Sequence, residues 1–250
     1  DWSSDVCSSD LFLSYARQVV EQTNLLEERY KSHTETRELF SVSSQHYAFV
    51  VNAFVSLLKR ADMTRYELFL RETRTYEIIE DVKNFRSEIG VLFLNGYNRD
   101  VLTKMFDDNR LTYTSLFKAR PHIFVSKSNP LAKHKVVSLE DLEDFPYLSY
   151  DQGIHNSFYY SEEILSQIPH KKSIVVSDRA TLFNLLIGLD GYTIATGILN
   201  SNLNGDNIVS IPLDIDDEID IVYLKHEKAT LSKMGEKFLD NLVKEVTFDN

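Results

Sequence analysis

The chain has 250 residues, of which 43% are hydrophobic and 26% charged, and its formal net charge is −11 at pH 7. This composition is typical of a globular protein with one or two domains. The acidic balance argues against a surface that holds nucleic acid by its phosphates. A single cysteine excludes a disulfide framework. No apolar stretch approaches the roughly 20 residues of a membrane span.

Residues 1–11 resemble the in-frame translation of a sequencing-library adapter, and such segments are excluded from reasoning about the fold. The only cysteine and the only tryptophan, Cys7 and Trp2, lie in this segment. Without it, 35 acidic residues face 27 basic ones, a balance of −8. We therefore expect the natural chain to continue upstream with a different sequence.

Residues 12–35 form the first predicted element, a linker or dimerisation helix. Its apolar and small residues are spaced four and three apart over three heptads, as in a coiled-coil seam. The alternative is an ordinary amphipathic helix packed on its own domain. The predicted seam consists of Phe12, Ala16, Val19, Thr23, Leu26 and Tyr30.

From residue 39 the chain alternates between strand and helix patterns. The predicted strands are 39–43, 66–72, 88–94, 122–126, 147–150, 173–176, 192–196, 208–213 and 219–224. The predicted helices are 46–60, 75–84, 100–109, 138–142, 157–167, 178–187 and 232–246. This rhythm predicts an α/β protein with mainly parallel sheets and helices on both faces.

Motifs of catalysis and cofactor binding are missing from the sequence. It has no G-x-G-x-x-G, no phosphate-binding loop, no G-x-S-x-G and no H-E-x-x-H. No two of the seven histidines have the spacing of metal ligands on one helix, and the acidic turn at 214–218 lacks the pattern of a calcium loop. We expect neither an enzyme nor a resident metal or cofactor.

The order of several short motifs resembles that of one family, the LysR-type bacterial transcriptional regulators. The motifs are Phe49–Phe54, Glu88–Val91, Ser128–Ala132, Val137–Leu142, Ile187–Ala195 and Phe238–Leu242. Together they resemble the inducer-sensing half of these regulators, and the match extends over residues 12–247. The sequence departs from the family pattern at Asn129, Asp190 and Thr196-Gly197.

This resemblance implies a two-lobe fold like that of type 2 periplasmic binding proteins, with an N-terminal linker helix. Lobe I would comprise 36–118 and 206–250, and lobe II 119–205. The resemblance also implies a cytoplasmic homodimer or homotetramer that binds DNA through a winged helix-turn-helix upstream of residue 12. A small-molecule effector in the interlobe cleft would change the arrangement of the DNA-binding domains. The alternatives are an extracytoplasmic solute-binding protein of a transporter and an enzyme built on the same cleft, which would need a positioned acid/base pair.

The strongest candidate for the effector site is Ser43, Ser44, Gln45 and His46, which follow a strand and open a helix. A helix N-terminus presents free N–H groups and partial positive charge, so this segment predicts a small anionic effector. Asp151 and Gln152 are candidates for contacting a ligand ammonium. Asn95, at the end of the predicted strand 88–94, should face the same cleft. Further contacts, implied by strand ends that match the family's cleft positions, are Ser126, Tyr150 and Thr196.

Overall fold

The computed structural model describes residues 16, 19–20, 22–23, 38–60, 65–199 and 206–247. The chain divides into two units, residues 1–39 with 63–67 and residues 40–62 with 68–250. In the first unit Ala16, Val19 and Thr23 are helical, and the Thr23 hydroxyl donates to the carbonyl of Val19 at 2.7 Å. Residues 1–11 and the seam positions 12, 26 and 30 lie outside the described residues.

From residue 38 onward the described residues form ten strands and five α-helices. In chain order they are β1 (Glu38–Ser44), α1 (Ala48–Arg60), β2 (Tyr66–Glu72), α2 (Thr75–Lys83), β3 (Ile89–Leu94), α3 (Arg99–Asp108), β4 (Leu111–Ala119), β5 (His122–Ser126), β6 (Tyr147–Tyr150), β7 (Ser173–Val176), α4 (Arg179–Leu189), β8 (Tyr192–Ala195), β9 (Ile208–Pro212), β10 (Ile219–His226) and α5 (Lys233–Thr247). None of these helices is long and apolar enough to cross a bilayer.

The strands form two five-stranded sheets, which define lobe I and lobe II. The lobe I sheet has the order β2-β1-β3-β10-β4, and the lobe II sheet has the order β7-β6-β8-β5-β9. β1 pairs with β3 in parallel, and β6 pairs with both β7 and β8 in parallel. β10 and β5 run antiparallel to both of their neighbours. The sheets are therefore mixed rather than mainly parallel, but the two-lobe α/β class is as predicted.

Two antiparallel crossovers connect the lobes. The first leads from β4 to β5 and the second from β9 to β10. The two connecting segments pair with each other at both of their ends, once in each lobe. Ala119 pairs with Ile219 on the lobe I side, and His122 pairs with Pro212 on the lobe II side. The N–H of Leu213 donates to the carbonyl of Pro121 between these pairs, at 3.0 Å.

Each lobe has its own apolar core between sheet and helices. In lobe I, α2 and α3 bury Ile78, Ile79, Leu102 and Phe106 against the inner strand β3. β3 is buried at every position, as its continuous apolar sequence predicts. In lobe II, α4 buries Leu182 and Leu186 against the second sheet. Each lobe can therefore move as a packed body.

Three sequence predictions about local structure need correction. The helix predicted at 157–167 is a 3₁₀ turn at Phe158–Tyr160 followed by irregular backbone, and Leu165 has φ = 61°, which no α-helix continues through. The helix predicted at 138–142 is also a 3₁₀ turn, Glu140–Leu142. The antiparallel strand β4 was not predicted.

The predicted boundary between the lobes is also shifted. Residues from 206 onward were assigned to lobe I, but β9 pairs with β5 over five positions in the lobe II sheet. The chain therefore returns to lobe I after Leu213. Local sequence patterns identified β9 as a strand, but they carry no information about which sheet a strand joins.

Gly90, in the middle of β3, allows α2 to pack closely on the sheet. A Cβ at this position would lie 2.8 Å from Ile78 Cγ2 and 2.9 Å from Val82 Cγ2. Both neighbours are fully buried and β-branched, so they have little freedom to move away. At Gly96, by contrast, a Cβ would meet nothing within 4 Å.

We expect Gly90→Ala to lower the free energy of unfolding by about 1–3 kcal/mol, because the added methyl overpacks the core. Gly96→Ala is the matched control and should stay within about 0.5 kcal/mol of the wild type. Urea denaturation of the three proteins measures both values. Equal midpoints for the two variants would show that the α2–β3 contact is not tight.

Candidate functional site

A cleft lies between the lobes, at the carboxyl ends of β1 and β6. The empty space between its walls, together with the open solvent at its mouth, amounts to about 630 Å³. Such a position, beyond strand ends of an α/β sheet, is where these folds place ligands. The lining residues are His46, Tyr47, Ala48, Phe49, Phe93, Phe124, Tyr150, Glu162, Glu163, Ile164, Arg179, Leu182, Phe183, Thr193, Ile194, Ala195, Thr196, Ile198 and Ile219.

Of the eight predicted contact residues, three line this cleft: His46, Tyr150 and Thr196. They come from different elements, since His46 follows β1, Tyr150 ends β6 and Thr196 follows β8. The rings of His46 and Tyr150 are stacked, with centroids 4.1 Å apart and planes within 8°. The structure therefore brings a lobe I residue and a lobe II residue together at this point.

Ser43, Ser44 and Gln45 are fully buried in lobe I and do not line the cleft. The hydroxyl of Ser43 donates to Asp81 Oδ2 at 2.6 Å and lies 2.7 Å from the Ser87 hydroxyl. Ser44 Oγ is buried with no hydrogen-bond partner among the described residues.

Gln45 fixes the start of α1 to its neighbours within lobe I. Its amide donates to the Thr75 hydroxyl at 2.6 Å, and its carbonyl accepts from the N–H of Phe93 and the hydroxyl of Tyr47 at 3.1 and 2.6 Å. Both acceptor positions of the carbonyl and one of the two amide N–H groups are therefore used internally.

Asn95 and Ser126 are also buried and do not line the cleft. Asn95 Oδ1 accepts from the N–H groups of Tyr97 and Asn98 ahead of α3, so this side chain closes a turn. Ser126 Oγ lies 2.8 Å from Ser128 Oγ. Both residues lie at the ends of strands, as predicted, but their side chains bond within local turns, and the Asn95 amide also donates to Asp217 Oδ2 at 3.3 Å.

Glu162 of lobe II binds the segment where the sequence predicts an anion. Its Oε2 accepts from the backbone N–H and from Nδ1 of His46, both at 2.9 Å. Its Oε1 accepts from the Gln152 amide at 3.0 Å. The anion at this position is thus a carboxylate of the protein itself, and the side chains of His46 and Glu162 are 6% and 3% exposed.

This contact governs the protonation of His46. Burial lowers the pKa of the imidazole, but the hydrogen bond and the charge of Glu162 outweigh burial, so the pKa lies above its ordinary value of 6.5. At pH values below this raised pKa, the protonated imidazole and Glu162 form an ion pair between the lobes, with Nδ1 and Oε2 2.9 Å apart.

Further contacts join the two lobes around the cleft. Arg179, at the start of α4, pairs with Glu72, at the end of β2, at 3.2 Å. Gln152 Oε1 accepts from the N–H of Thr75, the first residue of α2, at 3.1 Å. Lobe II thus supplies an acceptor for a free N–H of a lobe I helix.

The segment that follows β6 carries Gln152 and its neighbours across to lobe I. Asp151 Oδ2 pairs with Arg74 at 2.6 Å, and the ring of His155 stacks on Tyr76 with centroids 3.5 Å apart. The side chains of Asp151 and Gln152, considered for a ligand ammonium, thus contact lobe I instead.

Sequence reasoning missed the charged residues Glu72, Glu162, Glu163 and Arg179. Glu162 and Glu163 were placed on a predicted helix, where adjacent acidic residues usually face solvent. Arg179 directly follows the helix cap Asp178. Its position in the sequence does not indicate an ion pair with Glu72, which lies 107 residues earlier in the chain. Among the described residues, no group of three His, Cys, Asp or Glu side chains could hold a metal ion.

Comparisons with known proteins agree with this architecture. The family model "LysR substrate binding domain" matches residues 43–247, and the chain belongs to this family. A search of the curated proteins found no match.

Solved structures of LysR-type regulators share the fold. Full-length CbnR complexed with its target DNA is 13% identical, with a TM-score of 0.64 and coverage of 95% of this chain and 81% of that one. The effector-binding domain of QuiR in complex with shikimate is 16% identical, with a TM-score of 0.55 and coverage of 83% and 96%. The reduced OxyR regulatory domain from Pseudomonas aeruginosa is 12% identical, with a TM-score of 0.59 and coverage of 83% and 98%. Family and fold are those of the effector domain of a transcriptional regulator.

We expect Glu162→Gln to lower the pKa of His46 below 6.5, because burial then acts without the opposing carboxylate. The imidazole resonances in an NMR pH titration report this pKa directly. Glu140→Gln, the same change at an exposed position of lobe II, should leave it unchanged. A pKa that does not move in Glu162→Gln would show that Glu162 does not contact His46 in solution.

The same pair gives stability a pH dependence of known sign. Since folding raises the pKa of His46, its stabilisation is complete below the unfolded pKa of about 6.5 and is lost as the pH rises through the folded pKa. We therefore expect the difference in unfolding free energy between the wild type and His46→Asn to shrink from about pH 5.5 to about pH 8.5. Urea denaturation across this range measures the difference, and a constant or growing value would contradict the assignment.

Proposed function

We propose that this chain senses a small-molecule effector for a cytoplasmic LysR-type transcriptional regulator, with the effector bound in the cleft between the lobes. The observation that carries the proposal is a cleft whose walls come from two separately packed lobes connected by two crossovers. A ligand that contacts both walls favours one relative orientation of the lobes over others.

The contacts across the cleft support this mechanism because they are polar and exchangeable. His46–Glu162 and Glu72–Arg179 are ion pairs rather than an apolar interface. An effector that replaces or adds to these contacts changes the balance between lobe orientations by its difference in affinity for them. No cofactor is needed for this step.

We further propose that the signal reaches DNA through a winged helix-turn-helix upstream of residue 12 and through a helix over 12–35 that forms a homodimer or homotetramer. In such an assembly, a change in lobe orientation alters the separation of two DNA-binding domains and hence their fit to two half-sites. The structure of full-length CbnR complexed with its target DNA, which shares this fold, supports a role in DNA binding for the whole protein.

The anionic effector predicted from the sequence requires a specific exchange at His46. An incoming carboxylate would have to replace that of Glu162 on the N–H and imidazole of His46, and Glu162 would have to regain other partners or water. A binding panel for this site therefore needs acids, neutral molecules and amines.

We expect at least one member of a metabolite panel to bind the chain and raise its Tm by mass action. The panel includes shikimate, the ligand in the QuiR structure, together with O-acetylserine, N-acetylserine, sulfate, and neutral and amine analogues. Thermal shift gives the first readout and calorimetry the affinity. A flat panel would count against the proposal.

Ala195→Leu tests whether a panel ligand binds in the cleft, because Ala195 lines it and the larger side chain fills part of it. We expect the affinity to fall by about tenfold or more, since overlap of even a few atoms costs over 1 kcal/mol. Ala180→Leu is the matched control at an exposed position of α4. Unchanged affinity in a folded Ala195→Leu variant would show that the ligand binds outside the cleft.

A further inference from the structure

The charged groups of the cleft leave one carboxyl group without a cationic partner. Glu162 pairs with His46, and Glu72 pairs with Arg179. Glu163 also lines the cleft, but it forms no ion pair with any Lys, Arg or His among the described residues. Its Oε1 accepts a hydrogen bond from the N–H of Tyr150 at 2.9 Å. One wall of the cleft thus presents an unpaired acid.

Glu163 is 4% exposed, and this burial has a direct effect on its protonation. Burial raises the pKa of the Glu163 carboxyl well above its usual range, and the nearby charge of Glu162 raises it further. A carboxyl group in this environment gains stability as an ion when a cation comes to lie beside it.

The remaining walls of the cleft are largely apolar, and six of their side chains are aromatic. The faces of aromatic rings attract cations, including Lys ammonium groups, and quaternary ammonium ligands are bound in cages of such rings. The aromatic lining residues are Tyr47, Phe49, Phe93, Phe124, Tyr150 and Phe183.

An acidic head group has fewer partners here. The N–H and imidazole of His46 already bind Glu162, and Arg179 already binds Glu72. A carboxylate in the cleft would lie near the negative charge of Glu162, which disfavours a further negative charge. The arrangement of charges therefore selects against the anion that the helix N-terminus by itself predicts.

We propose that the effector carries a primary ammonium group on an apolar body, with the ammonium beside Glu163 and the aromatic side chains around it. This inference rests on the proposed function and specifies the chemical class of its ligand. As the ammonium enters, Glu163 loses its carboxyl proton to solvent and becomes the counter-ion, while the ligand keeps its charge. Binding of the amine is therefore accompanied by release of a proton from Glu163 wherever this carboxyl group is protonated in the free protein.

The test uses three probes that share one apolar body and differ in head group: benzylamine, benzyl alcohol and benzoate. We expect benzylamine to bind about tenfold more tightly than benzyl alcohol and benzoate, as an ion pair with aromatic contacts allows. Calorimetry near pH 5.5 in two buffers of different ionisation enthalpy gives the number of protons released. An ordinary glutamate is already ionised at that pH and would release close to none.

Glu163→Gln keeps the shape of the side chain and removes its charge. We expect this variant to lose the preference for benzylamine and the proton release, with the affinity for benzyl alcohol changed by less than about threefold. Glu143→Gln, at an exposed position of lobe II, is the matched control and should bind like the wild type. Proton release by the wild type itself tests the inference even where Glu163→Gln does not fold.

Failure of this inference and failure of the proposed function give different results. If benzylamine does not bind, binds no better than benzoate, or binds without proton release, the ammonium assignment is wrong. Binding of benzoate or benzyl alcohol that Ala195→Leu abolishes would still leave the cleft as the effector site. The metabolite panel judges the proposed function independently of these three probes.

Discussion

The contact between the Glu162 carboxylate and His46 is the interaction on which the organisation of the cleft depends. It places a charged group of lobe II on a free N–H and an imidazole of lobe I, and both side chains are almost completely buried. A buried charge is stable where it is paired and hydrogen-bonded, so each partner fixes the position of the other. Gln152 extends the contact, since it binds Glu162 and the N–H of Thr75 at the same time. The backbone N–H groups of His46 and Thr75 in lobe I thereby have their hydrogen-bond acceptors in lobe II.

Hydrogen bonding inside lobe I explains why the polar residues at the end of β1 do not line the cleft. The turn after β1 must connect a fully buried strand end to α1, and its polar groups need partners inside lobe I. Ser43 finds them in Asp81 and Ser87, and Gln45 in Thr75, Phe93 and Tyr47. These side chains therefore form their hydrogen bonds within the lobe rather than with a ligand.

The elements with strong local patterns could be predicted from the sequence. The continuous apolar run of β3, the alternation of β2 and the helical spacing of α1 and α5 all correspond to elements of the structure. The segment 157–167 has an acceptable helical pattern, yet its backbone is irregular and turns Glu162 and Glu163 towards the cleft. Contacts with lobe I and with Tyr150 outweigh helix propensity there, as tertiary contacts often do.

By itself the sequence determined the α/β class, most element positions, the resemblance to the LysR family and three of the residues that line the cleft. These depend on periodicity and motif order along the chain, which are local properties. Only the tertiary structure decided the pairing of charges, because Glu162 meets His46 across 116 residues and Arg179 meets Glu72 across 107. It also decided that β9 belongs to lobe II, because strand pairing depends on the fold as a whole. The charge of the cleft is the sum of such distant pairings, and for that reason it could not be obtained from any one segment.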